Sequence, residues 1–290
     1  MTTDLDRPPP AARPTGDRPA PDAPRGVVAT WFSDGWTVTW RNLLKLRRNP
    51  EVMVFAVLQP IMFVVLFSQV YGGSIRIDGG DYTDYLMAGI FGQTVLFGST
   101  FSGYLMAQDL KEGLIDRFRT LPMHSSAVLV GRTNADLVLN TVSMVIMIGA
   151  GAVVGWRFSD GVPRFLAGVG LLLLFSYAFS WVMALLGIMV RTPEVINNAA
   201  FMVLFPLTFI SNAFVQSSNL PGPLEVFANW NPVSALVQAA RELFGNTGSA
   251  PVPDTFPMQH PVLTVVAGSA VMLAVFVPLA VARFRRSSSR

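Results

Sequence analysis

The 290-residue chain is 51% hydrophobic and only 13% charged, with a mean hydropathy of +0.47, which excludes an ordinary soluble domain and points to the membrane. It has no cysteine, so disulfide scaffolds, thiolate metal sites and cysteine nucleophiles are excluded, and its two histidines, His124 and His260, are too far apart to suggest a zinc site. The net charge of +3 arises from arginine clusters beside apolar runs rather than from a nucleic-acid face, and no nucleic-acid partner is expected.

Residues 1–26 are rich in Pro, Asp and Arg, bury too little apolar surface to offset ordering, and read as a disordered tail without a signal peptide's apolar core. Residues 27–48 read as an amphipathic helix in the membrane interface. Trp31, Phe32, Trp36, Trp40, Leu43 and Leu44 share one face, with Trp31, Trp36 and Trp40 as anchors at headgroup level. Residues 49–290 form a six-span domain, with apolar runs at about 51–71, 85–107, 134–156, 165–190, 195–215 and 261–282. Each has about twenty residues, enough for roughly 30 Å of hydrocarbon. The fold expected is an all-α polytopic membrane protein with six transmembrane helices.

Orientation follows from counting basic residues. With the N-terminus inside, only Arg76, Arg157, Arg164 and Arg241 of the 21 fall outside. The positive-inside rule then places both termini in the cytoplasm of a multi-pass protein of the cell membrane. Short extracellular helices are expected before the last span, at about 221–245. In the second of them Asn231 caps the start, Pro232 follows and Gly245 closes the end.

No catalytic constellation is apparent. Both lysines, Lys45 and Lys111, follow leucine, so no phosphate-binding Gly-Lys loop exists, and no G-x-S-x-G or H-E-x-x-H motif occurs. The chain is therefore expected to be no enzyme and to hold no cofactor or metal. Glu51, Asp136 and Glu194 fall at the edges of spans, and Arg132 with Asp136, one turn apart, could pair. An ion-coupled carrier, which needs an ionisable group in its path, is disfavoured.

One short segment stands out, "QDLKEGLIDRFRTLP" at 108–122, with six charges in fifteen positions. As a helix it brings Leu110, Leu114, Phe118 and Leu121 to one edge, with Pro122 as its stop. That pattern suits docking into a groove on a cytoplasmic partner, with apolar anchors and charges that set register. It equally suits a helix resting on the bilayer, or a solvated loop.

Taken together, the strings "RNPEVMVFAVLQPIMFVVLF" at 48–67, "LKEGLIDRFRTLPM" at 110–123 and "FPLTFISNAFVQSSNLPGPLEVFANWNPVSALVQAARELF" at 205–244 resemble the membrane subunit of type-two ABC exporters. They are closest in character to its daunorubicin/doxorubicin-resistance branch, and the likeness covers about 40–286. The resemblance implies a permease without its own ATPase site. It would be paired with a second copy of itself and with two separate ATP-binding subunits that carry ATP and Mg. The segment at 108–122 would be the coupling helix on the ATPase, with Leu110, Leu114 and Phe118 as anchors and Glu112, Asp116, Arg117 and Arg119 fixing orientation. The substrate class implied is a hydrophobic drug or lipid-like metabolite.

Phe rows at i, i+4 suit flat apolar ligands and are candidates for the substrate path. They are Phe63 and Phe67 in the first span, Phe97 and Phe101 in the second, and Phe201, Phe205 and Phe209, with Met202 beside them, in the fifth. They would suit lipid or helix contacts as well. The resemblance implies a path lined by these three spans. Gly151 with Gly155, and Ser99 with Gly103, are small-residue pairs suited to close helix contact within or between chains. A type-two exporter of polysaccharide or lipid-linked glycan is the alternative within transport, and it calls for Trp or Tyr where this chain has Phe.

Overall fold

The computed structural model describes residues 39–41, 44, 50–71, 81–113, 125–190, 192–248 and 251–287. Among them all regular structure is helical. In chain order the helices are α1 (Pro50–Tyr71), α2 (Tyr82–Lys111), α3 (Ser125–Val154), α4 (Val162–Met189), α5 (Pro193–Phe209), α6 (Gly222–Trp230), α7 (Pro232–Phe244), α8 (Phe256–Gln259) and α9 (Pro261–Ser287). Stretches of α3, α4 and α9, at Ala127–Val154, Val162–Met189 and Pro261–Arg286, are long and apolar enough to cross a membrane. The shorter run Leu58–Phe67 of α1 is apolar as well. The expected tail at 1–26 lies outside the described residues. So do Trp31 and Trp36 of the expected interfacial helix, whereas Trp40 is helical and 56% exposed.

The centre of the bundle is α2, which packs on α1, α3, α4, α5 and α7. Every residue from Tyr85 to Leu96 is buried. A helix enclosed by protein needs no lipid-facing leucine, so α2 carries Gly, Ser, Thr and Gln and is less apolar than α4. Its closest neighbour is α4. A Cβ on Gly187 would run into the backbone oxygen of Gly103, and one on Gly103 into Met183. One face higher, the Ser99 and Ser176 hydroxyls meet at 2.9 Å. The Ser99–Gly103 pair is thus an intrachain packing seam. Gly151 does touch Met87, but Gly155 has φ +106° and open space around it, so it ends α3 rather than packing a helix.

Three of the boundaries that differ from expectation bear on the candidate residues. Helix α3 begins nine residues before the expected 134, which places Asp136 about 17 Å along it rather than at its edge. Helix α2 runs through Lys111, so Leu110 belongs to it and packs against buried Met106, Leu129 and Trp181. The single helix expected over 108–122 is interrupted, because the C-cap is Glu112 and Gly113 turns left-handed at φ +66°. Helix α5 stops at Phe209 instead of reaching 215. At 17 residues it spans only about 26 Å. Pro206, without an N–H, weakens its last turn. Beyond it, Ser211 Oγ donates to Thr208 O at 2.5 Å, and Asn231 Nδ2 donates to Leu207 O at 2.7 Å and Ile210 O at 2.9 Å, so the freed carbonyls are satisfied locally.

The outer helices form as the sequence dictates. Asn231 Oδ1 accepts from Val233 N at 2.9 Å and opens α7, and Gly245, left-handed at φ +75°, closes it. An aromatic cluster of Phe91, Trp156, Phe165 and Phe244 fastens α7 to α2 and α4, with Trp156 Nε1 donating to Asn246 Oδ1 at 3.1 Å.

Candidate functional site

The separate Phe rows of α1, α2 and α5 join into one ladder. From Phe97 of α2 it passes to Phe201 at 6.3 Å between ring centroids, then along α5 through Phe205 at 5.1 Å and Phe209 at 4.2 Å. Phe209 touches Phe214 at 5.0 Å, and Phe214 reaches Phe67 at 5.2 Å and Phe63 at 6.4 Å on α1. Centroid separations below about 7 Å are those of interacting rings. Two expected members stand apart. Phe101 pairs with Tyr104, and Met202 is 79% exposed beside the row rather than in it. Phe201 and Phe205 keep one face open at 55% and 38% exposure, so the ladder is accessible from its α5 side.

Phe214 is the rung that the sequence reading missed. It lies outside any helical repeat, in the turn after α5, and what holds that turn is a buried cation. Arg241 of α7 donates from Nη2 to the backbone oxygens of Asn212 at 2.7 Å and Ala213 at 3.1 Å, and from Nε to Tyr85 O at 3.1 Å. Its guanidinium lies 3.4 Å over the Tyr85 ring. Tyr85 Oη also donates to Asn212 O at 2.9 Å, and Tyr82 Oη to Phe214 O at 3.3 Å. The backbone of Ala213 lies so close to Gly89 of α2 that no side chain fits there. Irregular backbone buried within the bundle is tolerable because protein donors replace the missing helical ones. A cavity of about 40 Å³ beside the turn, lined by Tyr85, Asn212, Gln216 and Gln238 among others, is far too small for a drug-sized ligand.

At the other end of the bundle, Asp109 and Arg132 form an ion pair at 2.6 Å with side chains only 6% and 4% exposed. Arg132 also donates to Leu105 O at 2.9 Å. The expected Arg132–Asp136 pair does not form. Asp136 instead meets Ser180 of α4, whose hydroxyl is also within 2.9 Å of Ser176 O. Lys111 makes an exposed contact with Glu194 at 3.9 Å, joining the end of α2 to the start of α5. Backbone and Thr192 hydrogen bonds hold the Glu194 carboxyl below the usual carboxylate range. Of the proposed docking residues, Leu110 and Glu112 are placed as above, while Leu114, Asp116, Arg117, Phe118 and Arg119 lie outside the described residues.

Comparison with known proteins adds the following. The model of the family described as ABC-2 type transporter matches residues 34–244. A daunorubicin resistance ABC transporter permease protein, DrrB1 of Streptomyces coeruleorubidus, is 29% identical over 274 residues, which cover 94% of this chain and 91% of its own. The probable doxorubicin resistance ABC transporter permease protein DrrC of Mycobacterium tuberculosis is 25% identical over 259 residues, 87% of this chain and 88% of its own. The putative transport permease ycf38 of Pyropia yezoensis is 23% identical over 212 residues, 71% and 72% of the two chains.

Proposed function

Because the chain belongs to the ABC-2 type transporter family, with 34–244 matched by the family's model, we propose that it is the permease subunit of an ATP-driven exporter of hydrophobic drugs or lipid-like metabolites. Membership makes it a multi-pass membrane protein that works with an ABC ATP-binding subunit. In the finer reading, α1 to α5 and α9 make six crossings of the cell membrane with both termini in the cytoplasm. Two copies assemble with two ATPases, and ATP and Mg bind only on those partners. Of the charged segment at 108–122, Leu110 is packed into the bundle, and the residues from Lys111 on rest on the ATPase. Its closure displaces them and exposes the Phe ladder alternately to the two sides.

The single observation that carries the substrate class is the ladder itself. Seven phenylalanines from three helices and one turn run in unbroken contact, with an open face along α5. Such a surface stacks flat apolar molecules without demanding one hydrogen-bonding pattern. It supports a drug-like cargo over a glycan, for which Tyr or Trp would add hydrogen bonds. The drug-resistance names of two relatives point the same way. An ion-coupled carrier finds some support in Asp136, a carboxylate buried well inside α3. Ser180 ties it into the α3–α4 contact, however, so it reads as a helix fastener.

The test is to purify the tagged chain with a co-expressed ATP-binding subunit and measure ATPase activity and transport in vesicles. Stable association and stimulation by flat hydrophobic drugs are expected. Transport that persists without ATP and stops when the proton gradient is collapsed would overturn the exporter in favour of the carrier.

A further inference from the structure

The end of α2, which carries the first residues of the charged segment, and the start of α3 are fastened to each other. Asp109 lies two residues before the last residue of α2, and Arg132 about two turns into α3. Their 2.6 Å pair is almost fully buried. A carboxylate in the last turn of a helix faces the negative end of the dipole, so an uncompensated Asp109 would weaken the end of α2. Arg132 reverses that. Its Nη2 reaches both Asp109 and Leu105 O and so spans the last two turns of α2. Four residues beyond Asp109, Gly113 swings into the left-handed region and the helix is over.

The same helix leads to the ladder. From Asp109 to Phe97 is twelve residues, about 18 Å of continuous helix. On the way α2 is locked to α4 by the Gly103–Gly187 approach and the Ser99–Ser176 contact. Its end also meets α5 through Lys111 and Glu194. A push on the link can therefore do one of two things: unwind the last turn of α2, or move α2 and α3 together. A buried clasp, in which one Arg132 nitrogen holds both Asp109 and Leu105 O, opposes the first, because separating a buried ion pair is costly.

We infer that Asp109 and Arg132 are positioning residues that form the joint through which motion of the charged link enters the membrane helices as a rigid displacement of α2 with α3. This rests on the exporter reading above. Neutralising either partner leaves the link able to move while α2 frays beneath it, so ATP is hydrolysed without export.

The experiment uses the full complex with its ATP-binding subunit, comparing wild type with Asp109→Asn, Arg132→Gln and the exchanged pair Asp109→Arg with Arg132→Asp. ATPase turnover is expected to stay within about two-fold, while drug exported per ATP falls about ten-fold in each single variant, a size usual for coupling between distant sites. The exchanged pair should recover at least about a third of it, against the non-additivity expected of a direct contact. Spin labels at exposed Lys111 and Val138 give a second readout in the permease alone, whether or not the exchanged pair folds. Their distance distribution should be narrow in wild type and broad in either single variant. Export per ATP unchanged in both single variants, or a distribution as narrow as wild type, overturns the joint. A purely structural role would lower ATPase and export together, and that too overturns it. A wild-type complex that hydrolyses no ATP counts against the exporter reading instead, and the label distances still decide whether the pair holds the two helices as one body.

Discussion

Arg241 shows how far a residue's role can depart from its type. In the sequence it is one of four basic residues on the outer side, useful for orientation. In the fold it is buried and bonds three backbone carbonyls contributed by two other parts of the chain. Nothing local announces this, since Tyr85 is 156 positions away and Asn212 is 29. Hydrogen bonds to a charged group contribute about 1.5–3 kcal/mol each, and buried carbonyls left bare cost more still. Arg241→Met should therefore lower stability by about 3 kcal/mol or more, seen as a large drop in the detergent-solubilised melting temperature. Arg241→Lys should recover little of it, because one ammonium cannot reach three carbonyls from a planar fork. A melting curve for Arg241→Met that overlays wild type would mean that the turn holds itself. Asn231 is the opposite case. Its capping role was legible from "NWNPV", and only its second task, donating to Leu207 and Ile210, needed the structure. Asn231→Asp keeps the acceptor for Val233 N but loses both donors. Because the new carboxylate oxygen also faces those two carbonyls in a buried site, it should lower the detergent-solubilised melting temperature at least as much as Asn231→Ala, which loses the cap and both donors at a cost of about 1–2 kcal/mol.

At the level of elements, apolar runs announced the helices well and their ends poorly. Hydropathy marks where lipid is, not where a helix stops. Helix α3 accordingly starts before its apolar stretch, through "SSAVLVGRTNADL", where Arg132 and Asp136 find partners on α2 and α4. Helix α5 ends before its apolar stretch does, because Pro206 and the capping side chains of Ser211 and Asn231 decide the matter. Small residues were legible as contacts, but which pair mattered was not. The seam between α2 and α4 predicts a sharp contrast. Gly103→Val adds bulk against the backbone of Met183 and the side chain of Ile196, whereas Gly170→Val on α4 meets open space. Overpacking of a tight contact costs about 1–3 kcal/mol or more. The Gly103 variant should thus lose folded protein in a thermal or fluorescence size-exclusion assay, while the Gly170 variant stays near wild type. Equal behaviour of the two would show that α2 and α4 can separate without cost.

For the whole molecule, three separate Phe rows were legible as helical spacing, but their union was not. A repeat of four says which residues share a face and nothing about which faces meet. The connecting rung, Phe214, sits in a turn whose position depends on Arg241, Tyr85 and Gly89, so no local pattern could single it out. Phe214 touches Phe63, Phe67 and Phe209 at once and is itself 4% exposed. Removing it divides the ladder into an α1 part and an α5 part. If cargo travels along the ladder, Phe214→Leu, which keeps the bulk of an apolar core residue, should raise the drug concentration for half-maximal ATPase stimulation. The loss of aromatic contact, about 0.5–1.5 kcal/mol, corresponds to roughly two- to ten-fold. Phe205→Leu should do the same from the open face. Phe101→Leu is the control, since Phe101 pairs with Tyr104 rather than with a ring of the ladder. A shift at Phe205 and Phe214 with none at Phe101 ties drug recognition to the joined ladder rather than to aromatic content in general. Equal shifts at all three would place recognition elsewhere and return the Phe rows to lipid and helix packing.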